Sequence, residues 1–260
     1  MMKILVCVKQ VPESDAPVSI DDATGWVSLG GAATYAMNRF DECAVEEAVR
    51  IKEAYPDTVI DVVTAGPERA EAVVRRAMGM GADNGAHILT AADTYVDAFK
   101  TAAAIAAYAR KQPYDLILTG AMSEDLMQAQ VGPLVAAHLG MACVTSTIAI
   151  DLSAGTDRVY VEREVEGGCR EVGDIRLPAL LTIQTGINTP RYPALSKLLR
   201  ANSRELEIVD LDVFDPGDSP QALEGVALPE KTRDAVFLEG STAQKAGQLL
   251  NILRERSLIT

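Results

Sequence analysis

Four short apolar runs, KILVCVKQV (3–11), TVIDVVTA (58–65), AHILT (86–90) and YDLILTG (114–120), punctuate the first half of the chain. Each has the length and apolar content of a strand buried on both faces. Between them lie segments of helical spacing. ECAVEEAVRIKEAY (42–55) places Ala44, Val45, Ala48, Val49 and Ile51 at helical intervals, with Asn38 or Asp41 available as a cap and Pro56 as a stop. Gly66-Pro67-Glu68 turns the chain into a second helix, where a proline suits the first turn. Residues 94–112 read as an Ala-rich third helix, and GAMSEDLMQAQVGPLVAAHLG (120–140) as a loop entering a fourth. Strands joined by helices imply a parallel sheet with right-handed crossovers.

The pattern changes after about residue 144. DRVYVEREVEGGCREVGDIRL (157–177) reads as an antiparallel hairpin turning at Glu166-Gly167-Gly168, and LPALLTIQT (177–185) returns to the buried-strand type. Residues 205–240, with Pro216, Pro220 and Pro229, carry few periodic signals before STAQKAGQLLNILRER (241–256) ends as an amphipathic helix. So long an unpatterned stretch fits an extended arm better than an intradomain loop. The expected organisation is an α/β domain over 1–204 and a C-terminal arm and helix over 205–260. The α/β part is a mostly parallel twisted sheet with flanking helices plus the antiparallel hairpin.

Composition narrows the function. A formal net charge of −13 argues against nucleic-acid binding, because phosphate contacts need a basic surface. No apolar run approaches bilayer-spanning length, so the chain is not expected to be membrane-embedded. The start, MMKILVCVKQV, goes straight into a strand-like run, so neither a signal peptide nor an Arg/Ser-rich presequence is expected. The widely spaced Cys7, Cys43, Cys143 and Cys169 fit free thiols in the reducing cytoplasm. Only His87 and His138 are present, which leaves little for a His-based metal site or a Ser-His-Asp triad.

In an open parallel sheet, ligands sit beyond the carboxyl ends of the strands. Four segments arrive there: Cys7-Val8-Lys9, Asn38-Arg39-Phe40-Asp41, Ala65-Gly66-Pro67 and the stretch from Gly120 to Gly132. Gly120 ends a strand without a side chain, which leaves room for a ligand to approach the backbone. Ala121, Met122 and Ser123 then lead through Asp125, Gln128, Ala129 and Gln130 to Val131 and Gly132, a helix start where N–H groups favour a phosphate. Lys9 can neutralise that phosphate, and Asp125 and Gln130 can orient the loop or meet a base or ribose. Neither GxxxxGK[ST] nor an early GxGxxG is present, and no nucleophile or close acid/base pair stands out.

RYPALSKLLRANSR (191–204) is an anomaly in so acidic a chain. It gathers Arg191, Lys197, Arg200 and Arg204 around Tyr192, Leu195, Leu198 and Leu199. An ordinary amphipathic surface helix accounts for the leucines but not for the local basicity.

These segments together, with NRFDECAVEEAVRIKE, AMGMGAD, REVEGG and LPALLTIQTGINTPRYPAL in that order, resemble the β subunit of electron transfer flavoprotein over essentially the whole length. The resemblance implies a sheet like that of the adenine nucleotide α-hydrolases and a heterodimer with an α subunit that holds most of a redox FAD. In it the β subunit is an electron-carrier component with no catalytic activity of its own. By position, a structural AMP would contact Cys7, Asn38 to Asp41, Ala65 and the loop Gly120 to Val131. Phe40 would lie near the flavin, and Glu164 would be an acidic neighbour of it. RYPALSKLLR would be the loop that docks on flavin dehydrogenases such as acyl-CoA dehydrogenases, with Leu195 as its anchor and a quinone oxidoreductase as the electron acceptor. Electron-bifurcating members hold a second FAD in place of AMP and share Ala129-Gln130-Val131-Gly132-Pro133, but Leu126-Met127-Gln128 here replaces their Gly-Asp-Thr. The bulkier residues should restrict room for a flavin ring, and INTPRYPAL is similar to the non-bifurcating group; both favour AMP. The family's flavin-stacking tyrosine near the first loop has no match in PESDAP. A nucleotide-hydrolysing enzyme of the α-hydrolase type is the reading from another class, and KILVCVKQVPESD lacks the early Gly/Ser phosphate motif it needs.

Overall fold

Strand β1 (Lys3–Cys7) alternates strictly, Ile4 and Val6 to one face and Leu5 and Cys7 to the other, and both faces are covered. A computed structural model describes residues 2–13, 16–31, 33–90, 95–152, 157–214, 219–229 and 235–259 of this chain. After β1 come β2 (Gln10–Pro12), β3 (Val18–Asp21), β4 (Trp26–Leu29) and β5 (Tyr35–Met37), then α1 (Arg39–Ala54). There follow β6 (Val59–Gly66), α2 (Glu71–Met80), β7 (Asn84–Leu89), α3 (Ala98–Ala109), β8 (Leu116–Gly120) and α4 (Val131–Leu139). The second half holds β9 (Ala142–Leu152), β10 (Arg158–Val165), β11 (Cys169–Arg176), β12 (Ala179–Ile183), α5 (Leu195–Asn202), β13 (Glu207–Asp210) and α6 (Thr242–Glu255).

Nine strands form the main sheet in the order β11-β10-β9-β12-β8-β1-β6-β7-β13. Pairing is parallel from β9 through β12 to β13, and antiparallel only where β9, β10 and β11 meet. The mostly parallel α/β architecture with an antiparallel hairpin is therefore as expected. Ile4, Val6, Ile60, Val62, Leu116, Leu118, Leu181 and Ile183 pack toward α1 and α2. Leu5, Cys7, Val63, Ile117 and Leu180 pack toward α3 and α4. Two-sided burial is why these strands read as unbroken apolar runs rather than as polar/apolar alternation.

Two local expectations, for the run 3–11 and for residues 205–240, are corrected, and two elements stand where no reading was made. The run 3–11 is not one strand: it breaks at Val8-Lys9, and Gln10–Pro12 pairs antiparallel with Tyr35–Met37 in a separate ribbon. The polar stretch around Thr24-Gly25 is the turn of a second small hairpin, β3 with β4. Residues 142–152 form an eleven-residue strand whose register shifts against both β10 and β12, with Ser146 at φ +55°. Glu207–Asp210, in the stretch expected to be irregular, joins the main sheet beside β7. The expected helix start at Thr94, and Pro216, lie outside the described residues.

By internal contacts the chain falls into a unit of residues 1–226 and one of 227–260. The second unit contains α6, which opens with a capping box between Ser241 and Gln244 and has no buried residue. Among the described residues, no helix is long and apolar enough to cross a membrane.

Candidate functional site

The carboxyl ends of β1, β6 and β8 open into a cavity of about 780 Å³, of the size that small-molecule sites occupy. Its lining draws together the segments singled out from the sequence: Cys7, Val8 and Lys9; Asn38 and Asp41; Ala65 and Gly66; Gly120 to Ser123, Asp125 and Gln128 to Gly132. Arg39 lies outside this lining, exposed on the rim and paired with Glu124 at 3.4 Å. Phe40, half-buried, presses its Cβ toward Gly120. Glu164 is also separate, at the exposed end of β10, where it borders a more open recess with Ser146, Arg163 and Gly167. Gln184 Nε2 donates to its Oε2 at 3.4 Å.

The first turn of α1 shapes the cavity edge, though not as a cap. Asn38 occupies the N-cap position, yet its side chain bonds no N–H of the helix. Instead its Nδ2 donates to the Met122 carbonyl at 2.9 Å, and its Oδ1 accepts from the Glu124 N–H at 3.1 Å. Asp41 Oδ1 accepts from the Gly120 N–H at 2.9 Å, and Oδ2 from the Lys9 N–H at 2.7 Å. The Lys9 bond is why the long apolar run stops being a strand at that residue. Burial pushes the Asp41 carboxyl up to about 7, against the opposing effect of these two donors, Asn38 and the Lys9 ammonium. With the folded value above the unfolded one, the stability this group contributes is full below pH about 4 and is lost as pH rises through about 7.

Gly120 takes on a different meaning from the expected one. A Cβ there would sit 2.3 Å from Asp41 Oδ1 and 2.7 Å from Phe40 Cβ, so the missing side chain admits α1 rather than a ligand. At Gly132, a Cβ would lie 2.7 Å from both Thr119 Oγ1 and Thr182 Cγ2, which sets how closely α4 approaches the sheet.

The loop between β8 and α4 bends through Met127 at φ +52° and Ala129 at φ +53°. Non-glycine residues in this left-handed region cost of order 1 kcal/mol each, and they concentrate at functional loops. The Met127 side chain is largely exposed and does not line the cavity, whereas Leu126 and Gln128 do. Beyond the loop, the N–H groups of Val131 and Gly132 belong to the first turn of α4, where a helix offers no internal acceptor. Lys9 Nζ reaches across to both Asp125 oxygens at 2.7 Å and to Ser123 Oγ at 3.3 Å. Burial raises Asp125, but the Lys9 ammonium and its hydrogen bonds outweigh that and hold the carboxyl below its ordinary value. Burial beside Asp41 pushes the Cys7 thiol up, which leaves it a neutral wall residue.

Sequence reasoning missed the outer wall. Trp26, Tyr35, Arg69, Thr90, Tyr95 and Thr101 also line the cavity. Trp26 and Tyr95 meet with ring centroids 4.8 Å apart, and the Arg69 guanidinium lies 3.8 Å from the Tyr35 ring centroid. The usable signal was the pair of short alternating runs, VSID and WVSL, on either side of Thr24-Gly25.

The basic segment 191–204 lies against α1 and α2. Arg191 donates to Glu46 at 2.8 and 2.9 Å and to Glu53 at 2.6 and 3.0 Å, so its charge is occupied internally. Asn188 Nδ2 donates to the Cys43 carbonyl and to Glu47. Arg75 Nη1 donates to the carbonyls of Ala201, Asn202 and Arg204 and so closes the end of α5. Leu198 packs over Gly79. Tyr192, Leu195 and Leu199 point outward at 83, 72 and 62 % exposure, with Lys197 and Arg200 exposed beside them.

The fold and the recess define a parallel α/β protein with a ligand-sized cavity at the carboxyl edge of its sheet and a leucine-bearing helix presented on another face. Comparison with known proteins narrows the class. The family model for the electron transfer flavoprotein domain matches residues 26–214. The electron transfer flavoprotein subunit beta of Bacillus subtilis is 33 % identical over an alignment of 264 positions that covers 99 % of this chain and 100 % of that one. The same subunit from Methylophilus methylotrophus is 30 % identical, covering 98 % of each chain. That from Bos taurus is 33 % identical, covering 90 % of this chain and 95 % of its own. The chain belongs to the electron transfer flavoprotein family, among its β subunits.

Proposed function

We propose that this chain pairs with an α subunit to form a soluble electron carrier, binds a structural AMP in the cavity, and forms one wall of a shared FAD site. The carrying observation is the cavity itself. Its loop from Gly120 to Gln130 delivers the backbone into the N-terminus of α4, with the Lys9 ammonium beside it. A phosphate at this point meets unpaired N–H groups and the positive end of a helix, and it competes with Asp125 for Lys9. The residues therefore fit an adenine nucleotide. When bound, FAD supplies the electron-accepting and electron-donating chemistry, and this chain makes and breaks no bond.

Phe40 and Glu164, which lie outside the cavity, are the residues of this chain proposed to face the flavin. The exposed Leu195, flanked by Tyr192, Leu199, Lys197 and Arg200, is the handle for flavin dehydrogenases such as acyl-CoA dehydrogenases. A leucine buried in a partner's pocket supplies desolvated contact, and the two exposed cations favour an acidic rim. A quinone oxidoreductase would take the electrons onward. The arm ending in α6 is proposed to embrace the α subunit, which would cover Leu249 and Leu250. Four free cysteines fit a cytoplasmic setting.

Nucleotide extraction from the purified heterodimer tests the reading. One FAD and one AMP per heterodimer are expected, while two FAD and no AMP would replace it with the bifurcating type. Leu195→Ala is expected to slow reduction of the heterodimer by a dehydrogenase about tenfold, as loss of an interface anchor does, with FAD and AMP contents unchanged. Stopped-flow traces matching wild type would remove the docking role.

A further inference from the structure

We propose that the β3/β4 ribbon is a lid on the outer side of the cavity, latched by the contact of Trp26 with Tyr95, and that parting this latch sets how fast the nucleotide is taken up and released. The inference rests on the adenine-nucleotide reading above. It concerns two residues that belong to none of the strand-end segments singled out from the sequence.

The ribbon is loosely attached. β3 and β4 pair with each other and with no other strand of the described residues. Among those residues, every hydrogen bond made by residues 18–29 stays inside the ribbon: Asp21 accepts from Ala23, Thr24 and Gly25, Ser19 donates to Ser28, and Thr24 accepts from Trp26. A two-stranded hairpin alone is marginal in water, so side-chain contact with the body is what keeps this one in place. Trp26, Val27 and Leu29 bring that contact to the cavity, whose lining they share. Trp26 is the only tryptophan of the chain, and it is half-buried although it adjoins the exposed turn at Thr24-Gly25.

The opposite bank is fixed. Tyr95 precedes α3, whose first turn is capped by the Asp97 side chain accepting from the Lys100 N–H at 2.9 Å. Ala102, Ile105 and Ala106 of that helix are buried in the core on its side of the sheet, and Thr101 and Ile105 carry the cavity wall inward from Tyr95. The Trp26 and Tyr95 ring centroids are 4.8 Å apart with their planes inclined at 44°, a separation at which aromatic pairs attract beyond the area they bury. A loosely held bank and a fixed one therefore meet at this pair. Swinging the ribbon away breaks the aromatic contact and opens that side of the cavity, and it disturbs no pairing of the main sheet.

The test measures AMP kinetics in the FAD-containing heterodimer. Release is followed by chasing radiolabelled AMP with unlabelled AMP, and uptake by adding AMP to the AMP-free heterodimer. Trp26→Ala is expected to speed both about fivefold, the order that loss of one aromatic pair gives. Affinity, the ratio of the two rates, should change by less than either, which is the signature of a lid. Tyr95→Ala should act in the same way, so it reports if Trp26→Ala fails to assemble. The double variant should be little faster than Trp26→Ala, because both substitutions remove one contact. Trp26→Phe keeps a ring against Tyr95 and should restore most of the slow kinetics. Amide hydrogen exchange over residues 18–29 should quicken in Trp26→Ala, with residues 3–7 and 59–66 unchanged. Wild-type uptake and release in Trp26→Ala and Tyr95→Ala would overturn the inference. Faster release with unaltered uptake would assign direct contact with the nucleotide and overturn it too, as would additive effects in the double variant. Failure of the nucleotide reading itself would appear in the wild type, as neither bound AMP nor any uptake of it, and would remove both.

Discussion

Gly120→Ala is expected to cost about 3 kcal/mol of stability, the upper part of the ordinary range for forcing atoms into a filled core. The added methyl would collide with Asp41 Oδ1 and Phe40 Cβ, and would crowd Asn38 Nδ2 at 3.1 Å. None of these atoms can retreat cheaply. Asp41 is held by two amides, and the Phe40 Cβ is fixed to the helix backbone. Relief would come only by moving the start of α1 away from β8, which also shifts the loop leading to α4. Thermal unfolding of the heterodimer and its AMP-to-FAD ratio check this together. A variant with wild-type Tm and a full complement of AMP would show that the contact is slack.

Arg191→Ala is expected to destabilise the chain by about 2 kcal/mol, below the 3–5 kcal/mol of a fully buried pair because Arg191 is partly open to solvent. The greater part comes from Glu46, whose side chain is only 6 % exposed and would lose its partner; Glu53, well exposed, adds little. Hydrogen bonding to both carboxylates raises the Arg191 guanidinium further, so it stays charged at any working pH. The consequence at a distance is the sharper part of the prediction. Freed from α1, residues 188–194 should exchange amide hydrogen faster, and, given the docking role proposed for Leu195, electron uptake from a dehydrogenase should slow although that leucine is untouched. Arg191→Lys should recover only part, because a single ammonium cannot serve two carboxylates with a planar fork. Wild-type exchange and wild-type uptake in Arg191→Ala would disprove the tether.

The parts of this molecule that could be read in advance are those whose signal is local. TVIDVVTA, YDLILTG and the 158–176 hairpin declare themselves by length, branching and turn residues, and the strand-end segments bordering the cavity follow from the parallel order. The strand Ala142–Leu152 was obscured because its register shifts near Ser146 and its alternation breaks there. Glu207–Asp210 is four residues long and is fixed by pairing with Ala86 to Leu89, far away in the chain. Trp26 and Tyr35 reach the cavity through two small antiparallel ribbons, and Tyr95 from the segment before α3, placements that no periodicity encodes. Charge misled in one respect: Arg191 counts as basic in the sequence, but its two glutamates come from a helix some 140 positions earlier. Gly120 misled in another, since a vacant side-chain position does not say whether a ligand or a neighbouring helix fills it.

The central place of β1 in the main sheet has a consequence for how the chain is made. Ile4 is flanked by Ile60 on one side and by Leu116 on the other, and Leu116 in turn waits for Ala179. A growing polypeptide at the ribosome can therefore cover one margin of its earliest strand soon, but must carry the other bare until more than a hundred further residues have emerged. Through that interval KILVC is an unprotected apolar ribbon of the kind that invites aggregation, and translation stalled before β8 leaves a fragment with a sticky seam where the middle of the finished protein would be.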